Sequence, residues 1–310
     1  MNIIEAMVVS EASITYSNLP ALDHPAYAAG VSYAKGDRIC AAKPYKVGVV
    51  DLVGQHVFES LQDNNQGNDP SADDGSNWLV IGPTNRLRAF DGTIGSGTSH
   101  AGSVEFKVQT DRTCDALAFF GLRGGTVRVR VYTSQDALIW DKTFSLFDPI
   151  EVSNQFDFWF AEREFARVYL VTGLPRGGNR FVHVTVDAGT GTAEIGAMVL
   201  GTQANLGITR PGTTVDFRDF SELNEDQYGN IAPVARQKIR LVNYRFSYET
   251  ENTERILRRV MRNSGRLVVA YQALGTERYG TLVYGLINDL ELPGEAVFSD
   301  GQLEMRGVVE

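Results

Sequence analysis

The sequence predicts a mostly β protein of several units: a small polar-looped module, a β-sandwich or jelly roll, and a second β unit with one helix packed on it. Three observations predict it. Apolar residues recur with period two in many short runs, as half-buried strands require. Glycine is frequent, 31 residues, and stands mostly between those runs, where turns belong. Only one stretch has helical spacing. A chain of 310 residues is long enough to give each unit its own core.

In chain order, residues 1–24 read as an N-terminal strand segment that packs with the C-terminal unit. Residues 25–84 form the small module, with Tyr27, Tyr33 and Tyr45 ahead of the polar run "DNNQGNDPSADDGSNW" (63–78). The run closes on Trp78, which either plugs a small core or serves as a platform for a sugar. Asp63, Asn65, Gly67, Asp69 and Asp74 fall at positions 1, 3, 5, 7 and 12 of a superficial calcium loop. The match is poor: glycine stands at position 5 rather than 6, Asp replaces Glu at position 12, and Pro70 lies inside. A solvated loop is the reading carried forward.

The boundary "IGPTNR" (81–86) opens the sandwich, residues 85–201. Its strands are "SVEFKVQT" (103–110), "TVRVRVYT" (126–133), "RVYLVTGL" (167–174), "FVHVTVDA" (181–188) and "TAEIGAMVLG" (192–201). In the second of these, Val127, Val129 and Val131 share one face, and Arg128, Arg130 and Tyr132 the other. Turn signals between the runs come at sandwich spacing. The Gly/Thr-rich stretch "GTQANLGITRPGTT" (201–214) leads into the last unit, 202–310. There, "TENTERILRRVMRNSG" (250–265) predicts a helix over 253–264. Ile256, Leu257, Val260 and Met261 make its apolar stripe, Asn252 or Thr253 its cap, and Gly265 its stop. Glu251–Arg255 and Glu254–Arg258 are favourable i,i+4 pairs.

Composition and motifs narrow the function. A net charge of −9 argues against a nucleic-acid binder, which needs a basic face. No apolar run approaches the roughly 20 residues that span a bilayer. The opening residues carry an acid at position 5 and no basic region, so no secretory signal is expected. Cys40 and Cys114 form no C-x-x-C pair, and folding in a reducing cytoplasm is expected. There is no H-E-x-x-H, G-x-S-x-G or P-loop motif, and His24, His56, His100 and His183 are scattered. No enzyme, cofactor or metal is expected. His183 alternates with Val182 and Val184 and reads as a sheet-face residue.

Resemblance adds to this. Tyr27, Tyr33, Gly36–Asp37, Tyr45, Pro70 and Trp78 together resemble the three-stranded chitin-binding type of carbohydrate-binding module, with Tyr27 where a tryptophan is usual and an insert at 48–55. The resemblance implies Tyr33, Tyr45 and Trp78 as sugar-contacting residues. The run "WLVIGPTNRLRAFDG" and the alternating strands after it are similar to tail proteins of long-tailed bacteriophages, where such a module precedes a galactose-binding-like jelly roll. "LAFFGLRGGTVRVRVY" (117–132) is similar to the central strands of such jelly rolls. "DFSELNEDQYGN", "RQKIRLVNYRFSYE", "LVVAYQ", "GTLVYGLINDLEL" and "GQLEMRGVVE" resemble the end of tail-tip and distal-tail proteins, with a tail-tube-like β domain.

The expectation is therefore a structural part of a phage tail tip or baseplate. It would form a homo-oligomeric ring, hexamer or trimer, between tail tube and baseplate hub proteins. It would be made in the host cytoplasm and located in the virion. Arg255, Arg258, Arg259 and Arg262 are candidate ring-interface residues, because a locally basic surface on an acidic chain can bind its neighbour's acidic patches. The alternative is a carbohydrate-binding tail protein that assists adsorption to host surface polysaccharide.

Overall fold

A computed structural model of the chain describes residues 1–147, 155–160, 165–225, 231–272, 280–294 and 297–309. The protein is mostly β, 54% strand and 9% helical, with several sheets. In order the elements begin with β1 (Asn2–Ala6) and β2 (Ile14–Ser17), then β3 (Arg38–Val47), β4 (Val50–Ser60), β5 (Trp78–Pro83) and the short α1 (Asn85–Arg88). There follow β6 (Thr98–Gln109), β7 (Ala116–Phe120), β8 (Thr126–Tyr132), β9 (Leu138–Ser145), α2 (Gln155–Phe160), β10 (Tyr169–Thr172), β11 (Phe181–Ile195) and β12 (Ala197–Asn205). The chain closes with β13 (Ile208–Thr209), β14 (Thr214–Asp219), β15 (Glu222–Glu225), β16 (Ile231–Val234), β17 (Lys238–Glu249), α3 (Thr253–Arg262), β18 (Val268–Tyr271), β19 (Val283–Glu291) and β20 (Phe298–Val309). The end of the "DFSELNEDQYGN" run, 226–230, lies outside the described residues.

The sandwich sets the five-stranded sheet β2-β6-β11-β8-β9 against the β10-β7-β12 end of a ten-stranded sheet. Phe106, Val129 and Val184 from the first meet Phe119 and Leu200 from the second. Burying each such side chain is worth about 1.5–3 kcal/mol, before chain entropy is counted. In β8 the predicted alternation holds, with Val127, Val129 and Val131 buried and the arginines on the outer face. The apolar run of β7 is buried on both faces, because Ala118 and Phe120 join a further core on the opposite side of the ten-stranded sheet.

"TAEIGAMVLG" behaves differently from the single strand its pattern predicts. It breaks at Gly196 into the end of β11 and the start of β12, which belong to different sheets. A Cβ on Gly196 would lie 2.6 Å from the Ile94 carbonyl oxygen and 2.9 Å from that of Phe120. The corner therefore has room only for glycine.

The ten-stranded sheet runs β10-β7-β12-β1-β18-β19-β20-β17, and both β13 and β14 pair with the outer edge of β17. Strand β1 is the seam. It pairs antiparallel with β12 on one side and with β18 on the other, so the sandwich and the C-terminal unit share one sheet. Ile3 points into the C-terminal core, and Ile4 into the core on the opposite face.

α3 crosses the C-terminal unit, burying Ile256 and Val260 against Tyr244, Phe246 and Val268. Its other two apolar residues, Leu257 and Met261, remain exposed, so only half the predicted stripe meets the core. Gly265, with φ of 72°, ends the turn after it in the left-handed region that glycine tolerates. The three-stranded sheet β3-β4-β5 forms the small module. Cys40 and Cys114 are both buried and free.

Candidate functional site

The module gathers the aromatic residues singled out by sequence, but around its own core. Trp78 is 1% exposed and Tyr33 8% exposed, packed with Ile39 and Phe58. The Trp78 ring meets Tyr33 edge-on at 5.3 Å, and its Nε1 donates to the Asn68 carbonyl at 3.0 Å. Neither ring has a free face on which a pyranose could stack. A module of this size has few other ways to bury apolar area.

The polar loop ahead of Trp78 spends its carboxylates on its own backbone. Asp73 accepts from the amides of Gly75, Asn77 and Trp78 and from the Asn77 side chain. Burial would raise its carboxyl, yet these hydrogen bonds outweigh that and hold it below the usual range. Asp69 accepts from Ser71, Asp74 from the Ser76 amide, and Asp63 from the Lys35 amide. These are turn-capping roles. Among the described residues no group of His, Cys, Asp and Glu is placed to hold a metal ion.

The insert at 48–55 extends the β3–β4 hairpin into a bracket. At its tip a Cβ on Gly48 would lie 3.1 Å from the Gly265 carbonyl oxygen, and one on Gly265 would lie 3.0 Å from a Val49 methyl. The hairpin thus sits on the turn after α3. Nearer its base, Gly54 lies under Tyr45 and under Leu87 of α1. Tyr45 is half-buried, its ring 5.1 Å from His56, and burial beside Asp91 and Glu11 pushes its hydroxyl up to about 12. All three candidate sugar-contacting residues are thereby used in packing.

His56 is buried at this junction, with Nδ1 3.0 Å from the Gly54 carbonyl oxygen, and burial lowers its pKa below 6.5. An unfolded chain would bind the proton first, so stability is full above about pH 6.5 and falls as pH drops below it. A His56→Gln variant is expected to flatten the denaturation midpoint between about pH 7 and 5, where wild type declines. An unchanged slope would remove His56 as the cause.

The outer face of the five-stranded sheet is an open trough of about 550 Å³. The Arg128 guanidinium forks onto Asp141 at 2.9 and 2.5 Å. His183 Nε2 lies 3.3 Å from both Glu105 Oε2 and Arg130 Nη2, and Arg130 also donates to Thr185 at 3.1 Å. Tyr16 flanks His183 edge-on at 5.8 Å. Burial first, then the Arg130 charge, lowers the His183 pKa. These residues follow from register: Lys107, His183, Arg130 and Asp141 stand in one cross-strand row. The alternation of "TVRVRVYT" already placed its two arginines on this face.

The four helix arginines divide. Arg259 and Arg262 reach Glu5 on β1 at 2.8 and 3.3 Å, fastening α3 to the seam strand. Arg258 pairs with Glu254 at 2.7 Å on the exposed surface, a contact worth a few tenths of a kcal/mol. Arg255 is exposed and the expected pair with Glu251 does not form. Beside Arg255 and Arg258 stand Leu257 and Met261, the latter 65% exposed.

A second apolar surface was missed by sequence reasoning. Every residue of β14 is exposed, and among the described residues β15 and β16 pair only with each other. Phe217 is 67% and Leu223 74% exposed, with Val215 and Val234 also open. The alternation in "TVDFRD" was the available signal, but it does not say that neither face is covered. No protein-family model and no curated protein matches the chain.

Proposed function

We propose that the chain is a structural component of a long-tailed bacteriophage tail tip or baseplate, of the distal-tail type. It assembles as a homo-oligomeric ring, of six or three copies, that joins the tail tube to the host-recognition apparatus. It is made in the host cytoplasm and resides in the virion. Its work is assembly rather than covalent chemistry.

The phage assignment rests on the sequence resemblance set out above. The observation that carries the assembly part is the two apolar surfaces left open on the C-terminal unit, one at Phe217 and Leu223 and one at Leu257 and Met261. Soluble monomers rarely leave such groups unpaired in clusters, and a neighbouring subunit is what ordinarily covers them. The shared ten-stranded sheet supports the same reading, because it ties the sandwich rigidly to the unit that would make the ring. Native mass spectrometry of the purified protein, alone and mixed with tail-tube protein, tests it. A closed oligomer is expected, and a monomer under both conditions at high concentration overturns it.

A second reading, a saccharide-binding tail protein that assists adsorption, is favoured by the polar trough on the sandwich. Its forked Arg128–Asp141 pair, the Arg130 guanidinium and the flanking tyrosine suit vicinal hydroxyls. Binding on an array of bacterial surface polysaccharides, lost in Tyr16→Ala with Arg128→Ala, would carry this reading. An array without signal for wild type would end it.

A further inference from the structure

The exposed arm formed by β14, β15 and β16 and the exposed face of α3 are two different apolar surfaces on one unit. β14 is at the outer edge of β17, whereas α3 buries Ile256 and Val260 in the core beneath the sheet and is held to β1 by Arg259 and Arg262. Among the described residues no hydrogen bond or ion pair joins arm and helix. Among the described residues, then, each surface stays open.

Their charges are opposite. Between Thr214 and Glu225 four acids, Asp216, Asp219, Glu222 and Glu225, stand against Arg218 alone. Between Thr253 and Arg262 four arginines stand against Glu254 alone. Asp219 and Glu222 already touch Lys238 and Arg236, but these are surface pairs, weak enough to be exchanged for contacts with a neighbour. The arm offers aromatic and aliphatic side chains with acids, and the helix offers Leu257 and Met261 with Arg255 and Arg258. An isolated two-stranded hairpin is marginal in water, so β15–β16 gains most from a surface to lie on.

We infer that the arm of one protomer lies along α3 of the next, a head-to-tail contact between copies of this chain. The contact uses different patches on the two partners, so repetition makes a ring where the rotation between neighbours closes and an open filament where it does not. The inference rests on the assembly reading above and names the surfaces that carry it.

The test places cysteines at Phe217→Cys and Met261→Cys, leaving the buried Cys40 and Cys114 in place, and oxidises the full-length protein. Cross-linked species larger than one chain are expected only when both cysteines are present. In parallel, Arg255→Glu with Arg258→Glu is expected to weaken association at least tenfold with an unchanged melting temperature. Adding Asp216→Arg with Asp219→Arg is expected to restore it. An oligomer by mass that gives no cross-link and ignores the charge reversal overturns this contact and leaves the ring standing. A monomer at every concentration overturns both.

Discussion

Trp78→Ala is expected to unfold the small module while the sandwich stays folded, at a cost of about 3–5 kcal/mol. Trp78 is the largest of the four residues that make the module's buried core. Its removal also strands the Asn68 carbonyl that its ring N–H satisfies. A core so small cannot collapse around the void, so the cost falls at the upper end of the range. Amide hydrogen exchange reads the outcome directly. Protection should vanish in β3–β5 and persist in β6, β8 and β11. Retained protection in β4 would show that the ring is not the plug described here. Trp78→Phe keeps most of the volume and should lose markedly less.

The second large effect is at the seam. Ile4→Ala is expected to cost about 2–5 kcal/mol, because Ile4 is fully buried between strands that belong to two units. The denaturation midpoint should fall for the sandwich and the C-terminal unit together. A control at the exposed sheet edge, Leu138→Ala, should stay within about 0.5 kcal/mol of wild type. Loss confined to one unit after Ile4→Ala would mean that β1 is not the mechanical link between them.

Local pattern made much of the β architecture legible, and long-range pairing made the rest illegible. The valines of β8 and the helix around Ile256 and Val260 are visible because periodicity acts over a few residues, although neither Asn252 nor Thr253 makes the expected side-chain cap of the helix. Gly196 is not visible as a corner, since its role depends on the carbonyls of Ile94 and Phe120, remote in sequence. The aromatics of the module illustrate a different limit. Tyr33 and Trp78 have the residue types that either a sugar platform or a small core demands, and spacing alone does not tell the two apart. Burial does. Arg259 and Arg262 likewise look free on a helical wheel, and only the register of β1 reveals that Glu5 is waiting for them.

The seam strand also dictates when the protein can finish folding. Asn2 must pair with Asn205 on one side and Tyr271 on the other. As the chain leaves the ribosome, β1 emerges long before its second partner β18, with most of the described strands between them. Closing so long a loop before any pairing is rewarded makes for high contact order and slow completion. Until then β1 keeps its β18 edge open and Ile3 lacks the C-terminal core that covers it, which invites association between nascent chains. Refolding should accordingly show a late phase in which protection of β1 and β18 appears together, after the sandwich has already formed.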